Sequence, residues 1–406
     1  MMFNRKKFDW VLASLLIILI VMGCIAIYSA STTIIGKHHS TQNHWWKQII
    51  FAIISLSAIL LLLKLPMPIF DILIVPLFIA NMLALIGVLF VPAAHGAHRW
   101  FSFLGLSYQP SESAKLLSVL LVARVITKEN LTELQQVAYG FGIMVVPIVL
   151  ILMEPDFGTS LVFVFSLLAM LIAADVPFYY ILIIVSPVLS IVSSLHWIAV
   201  VVWILLFVYL LIRMGLSWVT ITICGVINVF LALIMPIFWN GLKAYQQERI
   251  LTFIDPTRDP LGAGYQIIQA KIAIGSGGFA GKGWLMGTQK NMNFLPEHHT
   301  DFIFSVIGEE FGFLGSVLVL TVFALFFWRM AHAIPEIKVK ERKVATAGIL
   351  AYLMIQTFIN IGMNVGIVPV TGVPLLFISY GGSSLLINSL AVGVVLKYLN
   401  ERGFIK

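Results

Sequence analysis

Residues Trp10 to Ala30 read WVLASLLIILIVMGCIAIYSA, a stretch with no charged side chain and no sustained two-residue alternation. About 20 predominantly apolar residues match the hydrocarbon thickness of a bilayer. In lipid every backbone N–H and C=O must be satisfied within the chain, which leaves helices or closed barrels. The missing alternation selects the helix. Trp218–Phe238 has the same character. The whole chain agrees: 60% of its residues are hydrophobic and 11% charged, with a mean hydropathy of +1.01. Soluble domains carry about 25% charged residues, so this chain belongs in a membrane. The net charge of +7 then has an explanation other than nucleic acid, because Lys and Arg collect in the cytoplasmic loops of membrane proteins.

Spans are expected near 10–31, 47–64, 69–92, 109–127, 136–153, 158–175, 177–195, 197–213, 217–238, 301–328, 344–366 and 374–397. The expectation is an all-α polytopic bundle of 10 to 12 transmembrane helices, one integral membrane domain over 1–406. Arg5, Lys6 and Lys7 precede an apolar run longer than a signal-peptide core, so the first helix reads as retained. With the amino terminus inside, the inner connections hold Lys64, Arg124, Arg213, Arg329, Lys338, Lys340 and Arg342, as the positive-inside rule requires. Both termini then face the cytoplasm. Outside lie His95–Ser107, the turn Glu154–Gly158 and a long loop over about 240–300. A structureless loop of that length is uncommon. Its stretch Tyr265–Ile274 is weakly amphipathic and is followed by Gly275-Ser276-Gly277-Gly278, which fits short re-entrant or interfacial helices joined by glycine turns. Cys24 and Cys224 fall inside apolar spans and read as buried, inert thiols.

Charges at membrane depth are costly and mark function by default. Glu112 and Lys115 stand three residues apart on one helix face, where they form a self-neutralising pair or line an outward polar cavity. Asp156 is a cap for the sixth span or a cavity group. Arg99 suits a lipid phosphate, and Trp100 an interfacial anchor. Asp301 opens a long span, as a helix cap or as a carboxylate at the outer mouth of the bundle. Glu309, two turns deeper on the Asp301 side, calls for a basic partner. Asp255 and Asp259 each precede a proline, as turn formers do. In the loop, Arg249, Lys271 and Lys282 beside glycine-rich backbone suit an anionic head group. These residues alone describe a handler of a lipid-linked anion and leave enzyme and transporter open.

Several motifs then resemble one family. RILTFIDPTRDPLGAGYQ (Arg249–Gln266), QPSE (Gln109–Glu112), EPDFGTS (Glu154–Ser160), HTDFIF (His299–Phe304) and a terminal signature from Asn364 through Pro369, Gly372 and Pro374 to SYGGS (Ser379–Ser383) are similar to the shape, elongation, division and sporulation (SEDS) family, in order along the whole chain. KIAIGSGG (Lys271–Gly278), GKG (Gly281–Gly283) and GTQ (Gly287–Gln289) resemble its elongation branch rather than the division or sporulation branch.

The resemblance implies a peptidoglycan glycosyltransferase that polymerises lipid II on the outer face of the bacterial cytoplasmic membrane. It also implies a class B penicillin-binding transpeptidase partner within the rod-shape elongation machinery. It makes Asp301 the match for the family's essential aspartate, and Glu112, Lys115, Asp156 and Gln246 the matches for polar cavity positions. The transfer inverts an α-linked sugar, so a base must take the proton of the acceptor 4-hydroxyl, and Asp301 is assigned that work. Lys115, Arg249, Lys282 or a divalent cation (Mg or Mn) is expected to steady the leaving pyrophosphate. The family has ten spans, whereas 177–238 reads here as three helices in place of one, an extra pair that keeps the loop outside. The region Pro374–Ser384 reads as a packed, irregular lead-in to a helix. A lipid-linked-sugar flippase would carry polar groups across the full depth, and a pure scaffold would have no use for Glu112, Lys115, Asp156 and Asp301 in the bundle.

Overall fold

The computed structural model describes residues 8–35, 38–41, 43–91, 99–103, 106–194, 196–241, 247, 251–252, 255–258, 264–292 and 297–401. Each expected span is a helix. They are α1 (Trp10–Ser31), α2 (His44–Lys64), α3 (Met67–Val88), α4 (Pro110–Ile126), α5 (Glu133–Met153), α6 (Phe157–Ala173), α7 (Phe178–Ser193), α8 (Trp197–Arg213) and α9 (Trp218–Gly241). The loop segment contributes α10 (Tyr265–Ser276) and the short α11 (Thr288–Asn291), and the bundle closes with α12 (Ile303–Ala333), α13 (Lys340–Val365) and α14 (Gly382–Asn400). Eight of these are long and apolar enough to cross a membrane, and α6, α7 and α8 are shorter apolar helices.

Two details depart from an all-helical reading. Antiparallel hairpins join Thr32–Ile35 to His38–Thr41 and Phe101–Phe103 to Leu106–Tyr108. The last helix begins at Gly382 rather than near 374, because the chain from Gly366 to Gly381 is irregular. Tyr265–Ser276 is helical as expected and stops at the glycines that follow. Asp255 acts as a turn former, accepting from the Thr257 backbone at 3.1 Å. Asp259, Gln246 and Arg249 lie outside the described residues.

Burial sorts the helices. In their most apolar stretches, 72% of residues are buried in α13 and in α14, against 18% in α9. The first two therefore form the centre of the bundle and α9 lies at its edge. Helices α7, α8 and α9 pack as a trio around Phe207, Leu211 and Ile221. A polar knot ties them: Asn228 donates to the Ser186 hydroxyl at 3.0 Å, Ser190 donates to Asn228 Oδ1 at 2.6 Å, and the Trp203 indole donates to Ser190 at 2.9 Å. Such bonds hold helices together where lipid offers no hydrophobic gradient between them. The thiols of Cys24 and Cys224 are free and half-buried.

Gly23 shows what close packing at the centre demands. A Cβ there would stand 2.3 Å from the Phe377 carbonyl oxygen and 2.8 Å from Ile378 Cα. Only a glycine lets α1 meet the irregular segment that precedes α14. Replacing Gly23 by Val is expected to cost about 1–3 kcal/mol through overpacking and to lower the melting temperature in detergent. Gly142→Ala, where nothing lies within 4 Å of the added carbon, is expected to leave it unchanged or higher, which a thermal-unfolding comparison checks.

Candidate functional site

A cavity of about 700 Å³ opens at the end of the bundle that carries the loop. Its walls bring together residues scattered through the sequence: Arg99, Glu112, Asp156 and Asp301 from the expected set, with Gln109, Lys47, Trp46, Trp100, Glu297 and Tyr380. Gly381, Gly382, Ser383 and Ser384 line it as well. The Pro374–Ser384 stretch is thus a wall of the cavity as well as a packed lead-in, a correction that follows from its irregular backbone turning toward the cavity before α14 starts.

Asp301 is mounted from both sides. It lies in the turn before α12, and its backbone N–H donates to the Glu297 carbonyl at 3.1 Å. Its own carbonyl accepts from Asn360 Nδ2 at 2.9 Å and from Asn364 Nδ2 at 3.0 Å, both on α13. The cap of α12 is supplied by a neighbour, since Asn364 Oδ1 accepts from the Ser305 backbone at 3.1 Å and from its hydroxyl at 2.6 Å. The Asp301 side chain is therefore free of capping duty and faces the cavity. Gly372 lies against it, with a Cβ there standing 3.5 Å from Asp301 Oδ2. Burial, then the charges of Glu297 and Asp156, push the Asp301 carboxyl up to about 7, against the pull of Arg99 and a hydrogen bond from Thr300. A carboxylate so tuned is a strong base that still ionises near neutrality.

Asp156 combines two of its expected roles. It caps α6, accepting from the Thr159 backbone at 3.1 Å and from its hydroxyl at 3.0 Å, and it lines the cavity. Arg99 stands 3.8 Å from Asp156 and donates to the carbonyl of Glu154 at 2.9 Å and to that of Pro155. Its guanidinium therefore binds the turn between α5 and α6 while facing the cavity. Glu112 reaches the cavity, and Lys115 stands behind it. The Lys115 ammonium donates to Glu112 at 2.9 Å and to Gln356 at 2.7 Å, and it does not line the cavity.

Lys282 also lies apart from the cavity: it pairs with Glu309 at 2.7 Å and donates to Thr288 at 2.8 Å. Glu309 thus has the basic partner its position called for, and Lys282 is committed to a structural contact rather than presented to an anion. Among the described residues, the cations that face the cavity are Arg99 and Lys47. Lys47 was not singled out from the sequence, although a lysine one turn inside an apolar helix carries the same signal that marked Lys115. Among the described residues, no group of three His, Cys, Asp or Glu side chains is placed to hold a metal ion. The described residues thus offer no ready-made cage for a resident divalent cation.

Residues 9–203 and 196–402 match the FtsW/RodA/SpoVE family, described as cell cycle proteins. The chain belongs to this family. It is 33% identical to the peptidoglycan glycosyltransferase MrdB of Escherichia coli strain K12, over 98% of this chain and 97% of that one. It is 31% identical to the peptidoglycan glycosyltransferase RodA of Treponema pallidum, over 98% of each. A solved structure on the structural coordination of polymerization and crosslinking by a peptidoglycan synthase complex superposes with a TM-score of 0.71 at 29% identity, covering 98% of both chains. The crystal structure of Thermus thermophilus RodA, at 23% identity and a TM-score of 0.63, shares the fold over 98% of this chain and 99% of that one.

In this FtsW/RodA/SpoVE protein the turn behind Arg99 holds one more acid. Glu154 is fully buried, and neither carboxyl oxygen has a hydrogen-bond partner among the described residues. Burial first, and Asp156 second, push its carboxyl up to about 8, with Arg99 opposing. Folded protein then keeps a proton that the unfolded chain releases near the ordinary glutamate value, so stability falls as pH rises through that window and levels off above about 8. Glu154→Gln is expected to flatten this fall and to raise the melting temperature above wild type at pH 8, as thermal unfolding across pH would reveal.

Proposed function

We propose that this cavity is where the chain, a peptidoglycan glycosyltransferase, polymerises lipid II into glycan strands during cell elongation, with Asp301 as the general base. The carrying observation is the Asp301 carboxyl, held at its backbone by two asparagines, raised to about 7, and facing a cavity that also contains Arg99 and Lys47. In the proposed step Asp301 takes the proton of the acceptor 4-hydroxyl as that oxygen bonds to the anomeric carbon of the donor sugar. The bond from this carbon to the polyprenyl pyrophosphate breaks on the opposite face, and the pyrophosphate leaves with the electron pair. Arg99 and Lys47 are the groups placed to meet its charge, the guanidinium with its fork and the ammonium as a point charge. Glu112 and Asp156 shape the field around both sugars, and Lys115 keeps Glu112 oriented.

The positive-inside pattern supports a setting in the bacterial cytoplasmic membrane with both termini in the cytoplasm and the cavity on the outer side. A class B penicillin-binding transpeptidase of the elongation machinery is the proposed partner, in keeping with the crosslinking complex to which the fold is similar.

The test uses the protein purified with its transpeptidase and supplied with lipid II. Wild type is expected to build glycan chains resolved on a gel, and Asp301→Asn to lose about 10²–10⁴-fold in rate, the usual worth of a positioned base. Full polymerisation by Asp301→Asn overturns the base assignment. Movement of lipid II between leaflets without polymer would instead make the chain a flippase. In the same assay kcat/KM should fall as pH drops through about 7, because the protonated carboxyl cannot accept the 4-hydroxyl proton.

A further inference from the structure

Helix α12 is broken. Gly312 has φ 65° and ψ −156°, which separates a short rod, Ile303–Phe311, from the rest of the span. Such a break frees backbone groups that lipid cannot satisfy. The turn Gly278–Gly283 satisfies them. Phe313 N–H donates to the Gly278 carbonyl at 2.9 Å and Leu314 N–H to that of Phe279 at 3.2 Å. The carbonyls of Glu309 and Glu310 accept from the backbone of Lys282 and Gly283, both at 3.0 Å. Two helical rungs are thus replaced by four bonds to the loop. Gly281, at φ +84°, fits because it has no side chain: a Cβ there would stand 2.1 Å from the Glu310 carbonyl oxygen.

Side chains secure the same joint. Lys290, on α11, has no exposed surface and pairs with Glu310 at 2.5 Å. Its ammonium also donates to the Ser29 carbonyl and hydroxyl of α1, both at 2.7 Å, while that hydroxyl bonds the Glu310 carboxylate. Alongside, the Glu309 carboxylate accepts from Lys282, from the Thr288 hydroxyl at 2.7 Å and from the Thr288 backbone at 2.8 Å. The rod that follows Asp301 is therefore gripped at its far end by the loop.

We infer that Lys290, through its buried pair with Glu310 and the Gly278–Gly283 splice, is a positioning residue that sets the rod Ile303–Phe311 and hence the aim of Asp301 into the cavity. The inference rests on Asp301 acting as the base. It assigns Lys290 no contact with substrate, so its loss must act on the chemical step and leave substrate affinity alone.

The experiment measures polymerisation rates against lipid II concentration for the full chain with its transpeptidase, in wild type, Asp301→Asn, Lys290→Met and Gly281→Ala, at equal amounts of folded protein. Lys290→Met is expected to lower kcat by about ten- to a hundredfold, the scale set by misplacing a catalytic group by about an ångström, with KM changed less than about twofold. Gly281→Ala, which removes no charge and only forces the splice apart, is expected to do the same, and it decides the matter if Lys290→Met fails to fold. If Asp301→Asn is inactive while both other variants keep wild-type kcat, the inference is overturned. It is overturned equally if KM rises and kcat stays, since that pattern belongs to a substrate contact. Polymer from Asp301→Asn would remove the base assignment itself, and the positioning role with it.

Discussion

Backbone polar groups at membrane depth find no water, so each irregular stretch survives only where other protein supplies its hydrogen bonds. That constraint organises this molecule. It accounts for Asn360 and Asn364 beneath the turn that carries Asp301, and for the loop spliced into the gap at Gly312. It also places the cavity, because the irregular backbone between α13 and α14, the α5–α6 turn and the turn before α12 gather at one end of the bundle, where their unpaired groups can serve one another.

Charge follows the same economy. Glu112, Glu309 and Glu310 each have a lysine within 3 Å. Such pairs offset the cost of desolvation without leaving a free charge. Glu154 avoids the cost by holding a proton. Asp301 is treated differently: it is crowded by other acids and opens on the cavity, so its proton affinity is raised to the range where proton exchange with a hydroxyl is useful. Glu154 and Asp301 both lack a lysine, and what separates them is that Asp301 lines the cavity whereas Glu154 does not.

Much of this could be read along the chain. Apolar run length gave every span, and the acids at the starts of spans pointed to Glu112, Asp156 and Asp301, since those signals are local. The elongation-type motifs led to the same family that the comparisons identify. The Glu112–Lys115 pair was legible from its spacing, but the distant partners were not. Lys115 also bonds Gln356, 241 residues away, and Lys282, read as suited to an anionic head group, pairs with Glu309, 27 residues away. Lys290 carried no signal at all, because a lysine in a polar loop reads as solvated until the fold closes over it. Tyr380 and the glycines beside it were hidden for the opposite reason, since small residues before a helix read as packing.

The mount of Asp301 also bears on how the protein is made. The residues that hold its carbonyl come 59 and 63 positions later in the chain, on α13. A ribosome that has delivered the first twelve helices has supplied the loop and the rod, yet not the two asparagines that hold the aspartate's carbonyl. The mount of Asp301 is completed only when nearly the whole polypeptide has entered the bilayer, so a chain ended before α13 leaves the Asp301 carbonyl without its asparagines.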